Sequence, residues 1–231
     1  MKILIITLSV LIQAQWALSM APEPPPVDPV PEIKSQTYRV TFTNNWNRRD
    51  HLAAPRNAHF SPIVAVTHDA SFDLLPMGGL TSKDLELVAE LGDTSDINPT
   101  LEMAVQQKKA SEFLNTVNMF IRDTQSQTFD ITVTENHPYI SFVTMIAPSP
   151  DWVVGLSALK LYSESQGFYP GLTSPYPLYA IDAGTESGDQ GGNFSINNQP
   201  TVPQTPISFL QGRGFQAPFA FVTIVPIATE E

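Results

Sequence analysis

The sequence predicts a mainly β protein, an antiparallel β-sandwich with two short helices inserted near its front. Three observations lead there. Short runs alternate apolar and polar residues, as in "TYRVTFT" and "TFDITVT", the pattern of half-buried strands. One run, "YISFVTMIAP", is apolar on both faces, which suits an inner strand of a sandwich. Long loops marked by glycine and proline separate the runs, and helical periodicity is confined to one stretch near the front.

Taken in order, residues 1–19 read as a secretory signal peptide. Lys2 is a short basic region, "ILIITLSVLIQAQWA" an apolar one, and Ala17 and Ser19 are the small residues of a cleavage site. The competing reading is an uncleaved anchor, for which the apolar run is short against the roughly 20 residues of a membrane span. Residues 20–35 include "APEPPPVDPVPEIK". Proline at this density blocks helix and sheet pairing and favours polyproline II, so the segment reads as a semi-rigid spacer or as a disordered tail. The body of the protein is expected over residues 36–228.

Within the body, Tyr38, Val40 and Phe42 share one face of the first strand, and Arg39, Thr41 and Thr43 the other. Ile63 to Thr67 form a β-branched run. "TSKDLELVAELGD" carries a helix: Thr81 or Ser82 caps it, Leu85, Val88, Ala89 and Leu91 make its stripe, and Gly92 ends it. "NPTLEMAVQQKKASEFLNTV" reads as a second helix, with Pro99 in its first turn and Leu101, Val105, Phe113, Leu114 and Val117 as apolar positions. The rest is β: "TFDITVT", "YISFVTMIAP", "DWVVGLSALKLY" and a final "FAFVTIVPI".

Composition narrows function. A net charge of −11, with only 12 Lys and Arg, argues against nucleic acid and against anionic membranes, and leaves room for cations. Loss of the leader removes Lys2 and makes the charge more negative still. With no cysteine, disulfides, thiol catalysis and cysteine-based zinc sites are excluded.

Two stretches carry candidate chemistry. "IAPSPDWVVG" sets Asp151 between a proline-rich turn and an apolar strand, where a carboxylate is costly unless paired. "DAGTESGDQGGN" gathers Asp182, Glu186 and Asp189 among four glycines, whose backbone freedom lets oxygens converge as calcium requires. A solvated acidic loop is the plainer reading of that stretch, and a turn or cap role the plainer reading of Asp151. Other candidates are weaker. His51, His59, His68 and His137 are too scattered for a helical zinc motif. His68 reads as a structural histidine that bonds nearby backbone. A triad of Ser61 or Ser149 with His68 and Asp69 lacks any G-x-S-x-G elbow. Trp46 and Trp152 read as core aromatics, and Asn193 in "NFS" is a glycosylation sequon.

"HFSPIVAVTHDASF", "LELVAELGD", "SFVTMIAPSPDWVVGLSALKL", "IDAGTESG" and "NNQPTVPQTPI" together resemble the spondin N-terminal domain family. The resemblance runs from about Tyr38 to Ile227, and "APSPDW" with "DAGTESG" downstream is its most specific pair. It implies an eight-stranded antiparallel β-sandwich related to C2 domains, with Ca2+ bound at one end. Carried over, the metal ligands are Asp151, Asp182 and Glu186; the family usually has aspartate at the last position, and glutamate adds one methylene. The chain also departs from animal members in lacking their cysteines. The resemblance implies a secreted, calcium-binding recognition or adhesion module, located outside the cytoplasm, that binds an extracellular protein or glycan and catalyses nothing. From the charge and the cleaved leader, no nucleic acid partner and no membrane insertion after signal cleavage are expected. The alternative is a secreted metal-dependent hydrolase; C2-like lipid binding is a third reading, disfavoured by acidic and polar loops.

Overall fold

The computed structural model describes residues 34–51, 57–116, 121–122, 125–187, 200, 203–212 and 214–228. The expected leader, residues 20–33 of the expected spacer, Asp189 and Asn193 lie outside the described residues; Ser35, the last residue of that spacer, already belongs to the first strand. The elements, in order, are β1 (Ser35–Asn44), β2 (His59–Phe60), β3 (Val64–His68), α1 (Lys83–Leu91), α2 (Asn98–Gln106), β4 (Ala110–Asn115) and β5 (Ile121–Arg122). They continue with β6 (Ser126–Thr134), β7 (Tyr139–Ala147), β8 (Trp152–Lys160), β9 (Tyr162–Ser163), β10 (Gly167–Phe168), β11 (Leu172–Leu178), β12 (Ile181–Asp182), β13 (Ser208–Phe209) and β14 (Ala220–Pro226).

Two antiparallel layers follow. One sheet has the order β11-β14-β1-β6. In the other, β7 is central: it pairs with β8 on one side and with β3 and β2 on the other, β12 and β13 extend the β8 side, and β4 and β5 flank β3 and β2. Eight of the described strands have five residues or more, four in each layer. That is the sandwich the sequence predicts.

The alternation of β1 does what alternation should. Tyr38, Val40 and Phe42 are all fully buried between the sheets, where they meet Phe60, Phe142, Trp152 and Phe219. Phe42 packs edge-on against Phe60 at 5.1 Å and Phe142 at 6.4 Å between ring centroids, the geometry that aromatic quadrupoles favour. The apolar run of β7 has a different cause on each face. Ile140, Phe142 and Ile146 enter the inter-sheet core. Val143 enters a second core with Val64, Val66 and Val153, under Leu75, Leu85, Val88, Ile97 and Leu101. The helices therefore form a third layer over the outer face of the second sheet.

α1 matches its sequence signals. The Ser82 side chain accepts from the Leu85 N–H, and Gly92, at φ 66°, closes the C-terminus with its N–H on the Leu87 and Val88 carbonyls. The second helix is shorter than its apolar positions suggest, which is a correction. α2 stops at Gln106; Lys108 adopts φ 58°, and residues 110–115 form β4. The reason is a change of period. Phe113 packs on the helix-side core and Leu114 on the inter-sheet core, so neighbours point opposite ways, as in a strand and not in a helix. Val117 lies outside the described residues.

The open sides of the sandwich are also managed. β11 is an edge strand and carries Pro175 and Pro177, which remove donors from that edge. At the other edge, the Thr132 N–H of β6 donates to Glu112 Oε2 of β4 at 2.7 Å, which ties the two layers together.

Replacing Phe42 with alanine should cost about 3–5 kcal/mol, since it empties the centre of the inter-sheet core. Chemical denaturation of Phe42→Ala against wild type measures this directly.

Candidate metal centre

The site is built where β8 begins. Trp152 is fully buried and stacks edge-on against Phe215 at 5.0 Å. Its N–H donates to Ser149 Oγ at 3.0 Å. These contacts fix the chain on either side of Asp151, which is itself fully buried. β12 pairs with β8 so that Asp182 lies opposite Trp152 and Ile181 opposite Val153. The Ala183 N–H then donates to the Asp151 carbonyl at 3.1 Å. The pairing thus delivers the "DAGTE" loop to the carboxylate of Asp151.

One oxygen of that carboxylate is heavily used. Asp151 Oδ2 accepts from the Thr185 N–H at 2.7 Å, the Thr185 hydroxyl at 3.2 Å and the Glu186 N–H at 3.0 Å. The other, Oδ1, is buried and has no hydrogen-bond partner, and the same holds for Glu186 Oε2. Burial pushes the Asp151 carboxyl up to about 6, against the pull of the Thr185 and Glu186 donors and with the Asp182 charge adding to it. Glu186 is pushed up to about 7, first by burial and then by the charges of Glu90, Asp151 and Glu86. Asp182 is committed to its own loop: its Oδ1 accepts from the Gly184 N–H at 2.8 Å.

The loop has little freedom. Gly184 has φ +75°, and a Cβ there would lie 2.0 Å from the Thr205 carbonyl oxygen. Only glycine fits, because the Thr205 N–H also donates to the Gly184 carbonyl at 2.9 Å. On the helical side, the Thr81 hydroxyl donates to the Ala183 carbonyl.

Of the three expected ligands, Asp151 and Glu186 come together and Asp182 lies on the adjoining strand. Among the described residues no three acidic or imidazole groups gather closely enough to hold a metal ion. The donor set nonetheless fits a hard cation on two counts: two carboxylate oxygens are buried without partners, and the local charge is one-signed. The turn-or-cap reading of Asp151 is also realised, since it caps a turn from a distant loop. Glu86 and Glu90 of α1 act on Glu186 without any sequence motif to announce them.

The remaining candidates resolve as structure. His68 is fully buried, with Nδ1 on the Asp69 carbonyl at 2.7 Å and Nε2 on Ser141 Oγ at 2.8 Å. The Asp69 carbonyl can only accept, so Nδ1 carries the proton and Ser141 donates to Nε2. Ser61 bonds Thr144 and Met145, and Ser149 bonds Trp152, so the imagined triad is not assembled. Trp46 and Trp152 are core aromatics, 4% and 0% exposed.

The pH dependence has a definite sign. Both carboxyls have raised folded-state values, so their protonated forms favour the fold. That stability is full below the unfolded value near 4 and is lost as pH rises through about 6 for Asp151 and about 7 for Glu186. His51 and His68 are held low by burial, and lose stability as pH falls below about 6.5, the opposite sense. Asp151→Asn isolates the first effect. In chelator near pH 7.5 it should stabilise the protein by up to about 3 kcal/mol, at about 1.4 kcal/mol per pKa unit, and the gain should vanish toward pH 4. Thermal melts of both proteins across pH measure it; an equal loss at every pH would contradict the assignment.

Comparison with known proteins converges on one family. The Spondin_N family profile matches residues 36–220. Spondin-1 of Homo sapiens is 35% identical over 182 residues, and Spondin-1 of Rattus norvegicus 33% over 177. Spondin-2 of Homo sapiens is 26% identical over 178 residues. Each alignment covers 74% of this chain but only 21% of Spondin-1 or 51% of Spondin-2, so the chain spans a fifth to a half of these relatives. No helix among the described residues is long and apolar enough to cross a membrane. With the sandwich, the "PSPDW" turn and the "DAGTE" loop in their places, the chain belongs to the Spondin_N family.

Proposed function

We propose that the chain is a calcium-binding recognition module that engages an extracellular protein or glycan and catalyses nothing. The observation that carries the reading is the carboxylate of Asp151: fully buried, with one oxygen holding a distant loop and the other without a partner beside Glu186. Leaving a buried carboxylate oxygen unpartnered costs about 1–3 kcal/mol. A proton or a cation removes that cost, and above neutral pH protons are scarce.

Asp151, Asp182 and Glu186 are the residues that would hold the ion. Bound calcium supplies charge neutralisation and a cross-link between two loops, and no bond-making chemistry. The chain's own groups do the rest. Thr185 and Glu186 amides orient Asp151, Gly184 sets the turn, and Thr205 backs it. Glutamate at position 186 reaches further than aspartate and binds calcium bidentately in many sites. The consequence is a rigid loop surface at one end of the sandwich, where loops that carry recognition belong.

The recognition reading also draws on charge. A chain of net charge −11 attracts partners with basic groups, and that attraction weakens with salt. The hydrolase reading has less behind it. Asp151 faces backbone amides and other carboxylates, and His68 is fully buried with both ring nitrogens engaged, by the Asp69 carbonyl and Ser141.

Calcium at about 100 times its dissociation constant should raise stability by about 2.7 kcal/mol. Extracellular sites often bind at about 0.1–1 mM, so the titration must reach millimolar calcium. Differential scanning calorimetry with calcium and with chelator checks this; coincident melting curves would remove the cation from the account. Binding to immobilised matrix proteins and glycans should fall on chelation. Turnover of ester, peptide or glycoside substrates that is lost on chelation would favour the metal-dependent hydrolase.

A further inference from the structure

A groove of about 320 Å3 opens where β11, the edge of one sheet, meets β8, β12 and β13 of the other. That volume is within the range of ligand sites. Among the described residues seven large apolar side chains are exposed, and four of them, Met77, Tyr176, Tyr179 and Phe209, line this one groove. Their exposures run from 36% to 51%. Scattered apolar exposure is ordinary on a protein surface, whereas gathered exposure marks a binding surface.

The backbone holds these side chains in place while leaving them open. Phe209 of β13 pairs with Ile181 of β12. The turn that carries Met77 is pinned beside β13: the Gly78 N–H donates to the Ile207 carbonyl at 2.8 Å, and the Ile207 N–H donates to the Gly79 carbonyl at 2.8 Å. Tyr179 is fixed through both its neighbours. The Phe219 N–H donates to the Leu178 carbonyl at 2.9 Å, and the Leu210 N–H donates to the Ala180 carbonyl at 3.0 Å. At Gly155, another lining residue, a Cβ would lie 2.4 Å from the Phe142 carbonyl oxygen, so that position stays without a side chain. A groove formed in advance loses little freedom when a ligand enters.

The lining carries no charged side chain, although the chain has a net charge of −11. Its polar side-chain atoms are the hydroxyls of Ser157, Tyr176 and Tyr179 and the Met77 sulfur. That set suits a ligand rich in carbonyl acceptors and apolar rings. A proline-rich segment in polyproline II has this character: proline lacks the N–H, the carbonyls make no internal bonds, and aromatic-lined grooves accept such segments. A glycan presents rows of hydroxyls that carboxylate or amide side chains hold best, and the lining has neither. Addition of a strand is blocked at this edge by Pro175 and Pro177. Charge selects the source. The chain's own proline-rich stretch, residues 21–32, carries Glu23, Asp28 and Glu32 and no basic residue, which suits an acidic chain poorly. We propose that the groove binds a neutral or basic proline-rich segment of another extracellular protein, its rings packed against Tyr176, Tyr179 and Phe209 and its carbonyls accepting from the tyrosine hydroxyls. This names a partner class for the recognition reading above, on which it rests for its setting, and it is independent of the cation.

The test is a titration of the isotopically labelled full chain with a capped oligoproline of about ten residues, roughly three turns of polyproline II. It is read from amide signals, in calcium and in chelator. A capped Gly–Ser peptide of equal length, a neutral oligosaccharide of N-acetylglucosamine and a peptide of residues 21–32 run beside it. Signals of Ser157, Tyr179, Ile181 and Phe209 should move with oligoproline, with equal affinity in calcium and in chelator. Tyr176→Ala and Tyr179→Ala should each weaken binding at least about fivefold. Both side chains are exposed, so melting close to wild type shows that the variants fold. Leu91→Ala, at an exposed residue of α1 that does not line the groove, should change affinity by less than about twofold. The peptide of residues 21–32 should bind more weakly than oligoproline. Unmoved groove signals, equal binding of the Gly–Ser peptide, or equal weakening in Leu91→Ala overturns the proposal. Tighter binding of the oligosaccharide reassigns the groove to a glycan, and tighter binding of the 21–32 peptide reassigns it to the chain itself; either overturns the proposal too. None of these results touches the calcium reading, which is read from binding to matrix proteins and glycans that falls on chelation.

Discussion

Much of the functional end of this protein depends on the hydrogen bonds that Asp151 Oδ2 accepts from the turn at Thr185 and Glu186. They join the start of β8 to a loop more than thirty residues later in the chain. They are charge-assisted, and therefore stronger than neutral amide bonds. They also force a buried carboxylate on the fold. The bonds hold the loop only while Asp151 stays buried, and burial is what leaves its second oxygen without water. Function and cost have the same origin.

The layers around the site explain how one residue is held so firmly. β7 is buried on both faces because the sandwich core covers one and the helical layer the other. β8, paired to β7, inherits that rigidity, and Trp152 transmits it to Asp151. The helical layer closes the remaining side. Ser82 and Gly92 set the ends of α1, and the Thr81 hydroxyl links the approach to α1 with the acidic loop. Three layers therefore meet near one carboxylate, although the ligands that resemblance to the family implies all come from the second sheet and its loops.

Much of the fold was legible because local and global preferences agree. Tyr38, Val40 and Phe42 alternate and are buried; Ser82 and Gly92 bracket α1 as caps do. Legibility failed at residues 110–115, where Phe113 and Leu114 satisfied a helical spacing by chance and tertiary pairing with β3 decided for a strand. The proline-bearing edge strand β11 was invisible for the reason that makes it a good edge: its prolines suppress the strand pattern. In the site, Asp151 raised a question on physical grounds alone, but its link to "DAGTE" came from resemblance, since no local rule joins residues that far apart. The influence of Glu90 and Glu86 on Glu186 was not legible at all, since no motif joins α1 to the acidic loop.

The central claim is that the Asp151–Glu186 junction accepts a divalent cation. The most direct measurement is the amide spectrum of isotopically labelled protein during a calcium titration near pH 7.5. The amides of Thr185 and Glu186 donate to the carboxylate in question, so they report on it without intermediaries. They should move progressively and saturate by about 10 mM calcium, above the range of weak extracellular sites, while amides in the middle of β1 and β14 stay in place. Amides of Thr185 and Glu186 that do not move over that range would contradict the account.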